Sequence, residues 1–374
     1  MRTSEQSLES IQRKQASLSV FLVGSFSDLD REEFQRAAFR AELTTHASPN
    51  LSHALTRLRA GRETPLCVLA APNVDIKRLV DAVRDEAELF ALPVLACVSH
   101  ASAAAFSGAW MAGADDVLVG SDYGGLSRRL ALLGQARSAV RPEATLGSAL
   151  VCVDDGQARR RIGRTLRHAG FDVSFASDVR EIATVTAQGS TPMFAVAVGE
   201  PPEGLDHQRV AIGSVARMSR VPVLFLEADA ERGLAQSGEQ IVDATGRLLF
   251  FADERVKEAF TDRRVSTRKL CATVCSFREA GSLIASYGVT YNVSGEGLYV
   301  RTLDPPRPSS ALWIELQTPS SGVPIHLRAT AVWQRSPGAG KGALPPGFGL
   351  SIDRPLCPPN DVREFLRGYS FLQR

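Results

Sequence analysis

The chain has 374 residues, 44% of them apolar, with 43 basic and 41 acidic side chains and a net charge of +2. That length exceeds one ordinary domain, and near-neutrality excludes a global field that would gather nucleic acid, so any anion site must be local. No apolar run approaches the ~18 residues needed to cross a bilayer, and residues 1–19 lack a signal-peptide core, so a cytoplasmic protein without membrane insertion is expected.

After a polar leader, the run Ser19-Val20-Phe21-Leu22-Val23, apolar after its serine, is of the kind buried on both faces of a parallel sheet. Similar runs recur at Leu66–Ala70, Val94–Val98 and Val117–Val119. Helical patterns lie between them over Arg31–Ala41, Leu51–Ala60, Ile76–Phe90, Ala101–Ala112 and Leu126–Ala136. The alternation predicts a doubly wound α/β domain over 17–140. Pro93-Val94-Leu95 and Gly113-Ala114-Asp115-Asp116-Val117-Leu118-Val119 resemble the fourth and fifth strands of response-regulator receiver domains. That family holds Mg²⁺ on an acidic pair after strand one, is phosphorylated on an aspartate ending strand three, and keeps a lysine after strand five. Gly24-Ser25, Ala70-Ala71 and Gly120 stand in those places. The resemblance therefore implies a pseudo-receiver, a scaffold offering a binding surface.

The pattern restarts at Ser148–Val153, ends in Asp154-Asp155, and continues with a helix over Gln157–Ala169 and strands over Phe171–Ala176, Met193–Val198 and Val221–Leu226. His168–Val173 again resembles a receiver, which implies a degenerate receiver-like domain over 146–253. Asp154 and Asp155 are left with two readings, a vestigial Mg²⁺-binding pair or a cap for the following helix. The phosphoacceptor position falls on Val198 or Gly199, and no lysine occurs between Lys77 and Lys257. Arg247–Phe251 reads as a final strand, and Asp253–Thr261 as a helix. No metal site is expected: Cys67, Cys97 and Cys152 fall in apolar strands, and Cys271 and Cys275 share a strand face without a nearby histidine.

The last unit, 258–374, carries two polar motifs, Arg263-Arg264-Val265-Ser266-Thr267-Arg268 and Asn292-Val293-Ser294-Gly295-Glu296-Gly297. Guanidinium forks suit phosphate oxygens and the O6/N7 edge of guanine. The second motif adds an amide, a hydroxyl and a glycine that permits close backbone approach. Their order resembles the PilZ family of cyclic di-GMP receptors, as do Gly297–Thr302, Ala329–Trp333 and Pro345–Leu350. The resemblance implies a small six-stranded antiparallel barrel preceded by a loop that wraps the ligand. It implies that Arg264 and Arg268 contact guanine and phosphate, that Arg263 stacks or pairs, and that Asn292, Ser294 and Gly297 hold the other guanine and the nearby phosphate. Glu296 reads as a solvated turn residue, Trp313 and Trp333 as barrel core, and Asp361–Tyr369 as a closing helix.

The expected fold class is thus multidomain: two flavodoxin-like, receiver-like α/β domains followed by a small antiparallel barrel. No histidine has an evident nucleophile or acid partner, and no cofactor is called for beyond the ligand cyclic di-GMP. The expected function is that of a non-enzymatic cyclic di-GMP effector that regulates motility, polarity or a related process through unidentified regulatory or motility proteins. An adaptor of the same architecture that needs no nucleotide is the alternative. No nucleic acid partner is expected, and self-association is left open.

Overall fold

The computed structural model describes residues 18–61, 63–138, 145–176, 192–198, 209–212, 219–226, 244–259, 269–317, 323–337, 344–358, 360–362 and 365. The chain divides into two compact units, 1–139 and 140–374.

In the first unit, β1 (Leu18–Val23), β2 (Thr44–Ser48), β3 (Thr64–Ala70), β4 (Val94–Val98) and β5 (Asp116–Val119) form one sheet in the order β2-β1-β3-β4-β5. Every described pairing in it is parallel. Helices α1 (Asp28–Arg40), α2 (Leu51–Arg59), α3 (Ile76–Asp85), α4 (Ala103–Met111) and α5 (Tyr123–Ser138) connect or follow the strands. Ser27, Asn50, Asp75 and Ser102 cap the first four with side-chain oxygens that accept backbone N–H bonds. One strand is new here, and one expectation is corrected. The strand β2 was not read from the sequence, because only Ser48 among its five residues is buried and no apolar pattern marks it. The helix expected over Ile76–Phe90 stops at Asp85, where the Arg84 guanidinium takes the Phe90 and Leu92 carbonyls at 2.8 Å each.

The second unit opens with β6 (Ser148–Cys152), β7 (Asp172–Ala176), β8 (Phe194–Val198), β9 (Arg209–Ile212) and β10 (Ser219–Leu226), in the order β7-β6-β8-β10-β9. The first four run parallel, and β9 pairs antiparallel with β10 at the edge. Helix α6 (Gly156–His168) follows β6. The strand expected over Arg247–Phe251 does not exist; those residues lie inside α7 (Ala244–Ala259). The run is continuously apolar because α7 faces two cores. Leu248 and Ala252 join the core of the β6–β10 sheet. Phe250 joins a cluster with Leu270, Tyr291 and Tyr299, and Leu249 packs against both groups. This helix spans the junction at 253–258 between the last two predicted domains.

The C-terminal part is a closed barrel. β12 (Val274–Glu279), β13 (Ser286–Val293), β14 (Gly297–Arg301), β15 (Ala311–Leu316), β16 (Ile325–Arg335) and β17 (Gly347–Pro355) run in the order β13-β12-β15-β16-β17-β14, and β14 pairs back with β13. All these pairings are antiparallel. A short β11 (Lys269–Leu270) adds to the other side of β13. Leu312, Ile314 and Leu316 point into the core with Cys271, Cys275, Phe277 and Phe348. Trp313, expected in the core, therefore faces outward and is 39% exposed. Trp333 stacks on Tyr299 with ring centroids 5.1 Å apart. Most of the closing helix expected over Asp361–Tyr369 lies outside the described residues, but Phe365 and Val362 pack on the barrel core.

Candidate functional site

The second polar motif sits at the tip of the β13–β14 hairpin. The Ser294 backbone N–H donates to the Gly297 carbonyl at 2.8 Å. The Ser294 hydroxyl accepts from the Gly297 N–H at 3.2 Å and from the Glu296 N–H at 3.4 Å, and also lies 3.2 Å from the Gly297 carbonyl as a donor. Ser294 thus closes its own turn, as serine does in many tight turns. Gly297 has a packing reason too: a Cβ there would stand 2.3 Å from the Leu350 carbonyl oxygen on β17. The glycine lets two strands of the barrel approach, where close approach to a ligand was expected. Glu296 is exposed.

Asn292 is different. Its side chain is completely buried, and among the described residues neither the amide oxygen nor the amide nitrogen has a hydrogen-bond partner. Leaving such groups unsatisfied costs about 1–3 kcal/mol each. A β-bulge accompanies it: Thr290 pairs with Val300 and Asn292 with Tyr299, leaving Tyr291 extra. Bulges re-aim side chains beside sites. The bulged Tyr291 reaches α7, with its hydroxyl 3.4 Å from the Gly246 carbonyl and its ring 5.9 Å from that of Phe250.

Arg263, Arg264 and Arg268 lie outside the described residues. Their chain neighbour is placed, however. Lys269 pairs with Val293 and Leu270 with Asn292, so the segment leading out of the arginine motif is hydrogen-bonded to the strand that carries the orphaned amide. Sequence spacing alone gave no register between the two motifs.

Close by lies a buried ionisable group that the sequence did not single out. Burial raises the pKa of Tyr299 well above its ordinary range, against the opposing fields of Arg335 and Arg301, while Asp253 on α7 adds to the rise. The phenol donates to the Pro345 carbonyl at 2.6 Å. Burial lowers the pKa of Arg335, with Tyr299 and Asp253 opposing. Only the three-dimensional pairing of β14, β16 and α7 collects these residues.

The receiver-type positions are plain by comparison. In the first unit Gly24 adopts φ +98°, and a Cβ on it would lie 2.5 Å from Val74 Cγ2 and 2.8 Å from Asn73 Oδ1. Asn73 accepts a bond from the Ser25 N–H at 3.0 Å. The loop after β1 is therefore filled by neutral side chains where a receiver would need carboxylates, and these residues do not fit Mg²⁺. In the second unit Asp155 caps α6, its Oδ1 accepting from Gln157 N–H at 3.0 Å and Ala158 N–H at 2.7 Å. Asp154 is exposed. Among the described residues no group of three or more His, Cys, Asp or Glu side chains is arranged to hold a metal, and no helix is long and apolar enough to cross a membrane.

No protein-family model matches the chain, and no curated protein matches it. Solved structures do. A response regulator in red-light signalling of R. palustris is 19% identical, over 34% of this chain and 99% of that one, with a TM-score of 0.28. The chemotaxis response regulator CheY4 of Vibrio cholerae is 18% identical, over 31% of this chain and 98% of that one, with a TM-score of 0.28. The Bacillus subtilis inhibitor of motility is 17% identical, over 28% of this chain and 48% of that one, with a TM-score of 0.23.

Proposed function

We propose that the protein is a non-enzymatic effector that binds cyclic di-GMP through Arg263, Arg264, Arg268, Asn292, Ser294 and Gly297. Binding would alter its contacts with regulatory or motility proteins, made through the two receiver-like α/β parts. The observation that supports this most is the Asn292 amide: a fully buried group whose two polar atoms have no partner among the described residues is suited to a polar ligand or an incoming guanidinium. The strand pairing of Leu270 with Asn292 supports it further, since the chain enters that strand directly from the arginine motif. Three guanidinium groups would offset the entropy of ordering their loop by charge-assisted bonds to phosphate. Isothermal titration of cyclic di-GMP into the wild-type chain and into Arg268→Ala tests the reading. Saturable binding by the first, with affinity lowered at least tenfold in the second, is expected; equal affinities would remove the motif from the account.

One observation favours a second reading, an adaptor that needs no nucleotide. Ser294 and Gly297 both already have structural work, in the turn and in the strand contact. The same titration separates the two, because the adaptor takes up no nucleotide.

A further inference from the structure

The β12–β13 hairpin ends in two adjacent aliphatic side chains held out in water, Leu283 at 95% exposed and Ile284 at 74%. The turn that carries them is ordered. The Ser282 N–H donates to the Glu279 carbonyl at 3.0 Å, the Ile284 N–H donates to the Ser282 hydroxyl at 3.1 Å, and the Arg278 guanidinium donates to the Ser282 carbonyl at 3.4 Å. Exposed aliphatic residues scattered singly need no explanation, but a pair fixed at the apex of an ordered turn is a patch. The apex precedes β13 and the Ser294 turn follows it, so the two lie at opposite ends of that strand and the nucleotide reading leaves the apex unused.

Behind the apex, the outward side chains of β12, β15 and β16 fall in rows about 7 Å apart. The row nearest the apex is Ala280, Ala311 and Thr330, with exposed Val332 beyond it on β16. The next is Arg278, Trp313 and Arg328, all exposed, with the Arg278 guanidinium 5.9 Å from the Trp313 ring centroid. The third is Ser276, Glu315 and His326. The face is thus graded along the strands, from an aliphatic apex through small side chains and a belt of arginine and indole to a carboxylate and a histidine. That is the order of layers at a lipid surface, where tryptophan and the long stems of arginine occupy the zone between acyl chains and water. The charge agrees. At the arginine row and beyond it, exposed Arg278, Arg307, Arg328 and Arg354 outnumber exposed Glu279 and Asp353. Glu279 accepts from the Ser310 hydroxyl at 3.3 Å and Asp353 from the Thr330 hydroxyl at 3.1 Å. A protein partner would find too little here, since two apex side chains and a narrow belt fall short of the ~800 Å² of a standard interface. A fluid bilayer closes around a convex tip of this size.

We propose that this hairpin docks the chain on an anionic lipid surface, with Leu283 and Ile284 entering the acyl boundary and Arg278, Trp313 and Arg328 lying among the headgroups. Three residues of extended chain separate Arg278 from Gly281 at the turn, about 10 Å, which matches the shallow depth of an interfacial anchor. The contact is peripheral and crosses no membrane. Two aliphatic side chains and a small excess of cations make it weak and reversible, with an association constant on the order of the ~10⁴ M⁻¹ of a single acyl chain, and sensitive to salt.

Flotation of the full chain with vesicles, at about 0.05 to about 5 mM lipid, tests this without nucleotide, so its failure is separate from that of the binding reading. The vesicles are phosphatidylcholine alone, or phosphatidylcholine and phosphatidylglycerol in equal parts. Binding to the mixed vesicles is expected, at least tenfold weaker to the neutral ones and weakened by salt. The double variant Leu283→Asp, Ile284→Asp should lose it by at least tenfold, and Arg328→Glu should weaken it several-fold. Brominated lipid should quench the tryptophan fluorescence of the bound wild-type chain, and Trp313→Phe should remove that quenching. Far-ultraviolet dichroism of each variant should match wild type, since all the substituted side chains are exposed. A wild-type chain that floats with neither vesicle overturns the proposal and leaves the apex to a protein partner. A double aspartate variant that binds as wild type does overturns it in favour of adsorption by charge alone.

Discussion

Asn292 sets two quantities against each other. Among the described residues both of its amide atoms are without partners in a fully buried position, and a ligand-binding role requires that those atoms be there. Leucine has a similar branched shape and no polar atoms to satisfy. Asn292→Leu should therefore leave the barrel as stable as wild type or more stable by about 1–3 kcal/mol, while cyclic di-GMP binding is lost. Chemical denaturation and titration of the same preparation check both halves. A polar residue whose removal stabilises the fold and abolishes binding was kept for binding; one whose removal destabilises the barrel was part of its packing. Ser294 and Gly297 would not discriminate in this way, because the turn bond and the Leu350 contact would be disturbed by substitution whether or not a ligand binds.

At the scale of elements, α7 is the join that matters. Phe250 packs with Tyr291, whose neighbour is Asn292, whereas Leu248 packs with the β6–β10 sheet. Phe250→Ala and Leu248→Ala should each cost about 2–5 kcal/mol by deleting buried apolar volume. On the proposed reading only Phe250→Ala should also weaken nucleotide binding, since only it loosens the bulge beside Asn292. Denaturation and titration of the two variants check the contrast, and an equal loss of affinity in both would mean that the effect travels through general destabilisation. The same helix shows what the sequence could and could not convey. Runs buried on both faces, such as Val94–Val98 and Phe194–Val198, were legible as strands because a strand covered on both faces has no polar side. Leu248–Phe251 is apolar in the same way and is helical, because the turn of α7 that faces two cores is apolar on all its sides. The edge strands β2 and β9 carried no such signal. Likewise the alternation in β15 was visible, but which of its two faces pointed inward was not, and Trp313 was assigned to the wrong one. In the candidate site, residue types and order were readable in the sequence. The bulge at Tyr291, the unpaired state of Asn292 and the pairing of Leu270 beside it depend on strand register, which no local pattern encodes.

Both compact units bury acidic protons, and that gives the whole molecule an alkaline limit. Burial pushes the Cys67 thiol in the first unit from 9.0 up to about 12, and burial raises Cys97 still further, with Asp30 adding to the rise and Arg129 opposing it. In the second unit burial raises Cys275, with smaller contributions from Cys271 and Glu315, and burial likewise raises the Tyr299 phenol. In each case the folded pKa lies above the unfolded one, so the folded state holds a proton that the unfolded chain gives up. The associated stability is complete below the unfolded pKa and drains away as the pH climbs towards the folded value. For Cys67 that window runs from 9.0 to about 12. Within its own window each group sheds about 1.4 kcal/mol per pH unit. Urea midpoints should therefore be level up to about pH 8.5 and then fall, more steeply once the tyrosine window opens near pH 10. Cys67→Ala should start lower, from the lost packing, and decline less steeply, by one proton's worth of slope. Midpoints taken at half-unit steps on both proteins measure that difference directly, and parallel curves would show that the Cys67 thiol is not a source of the decline.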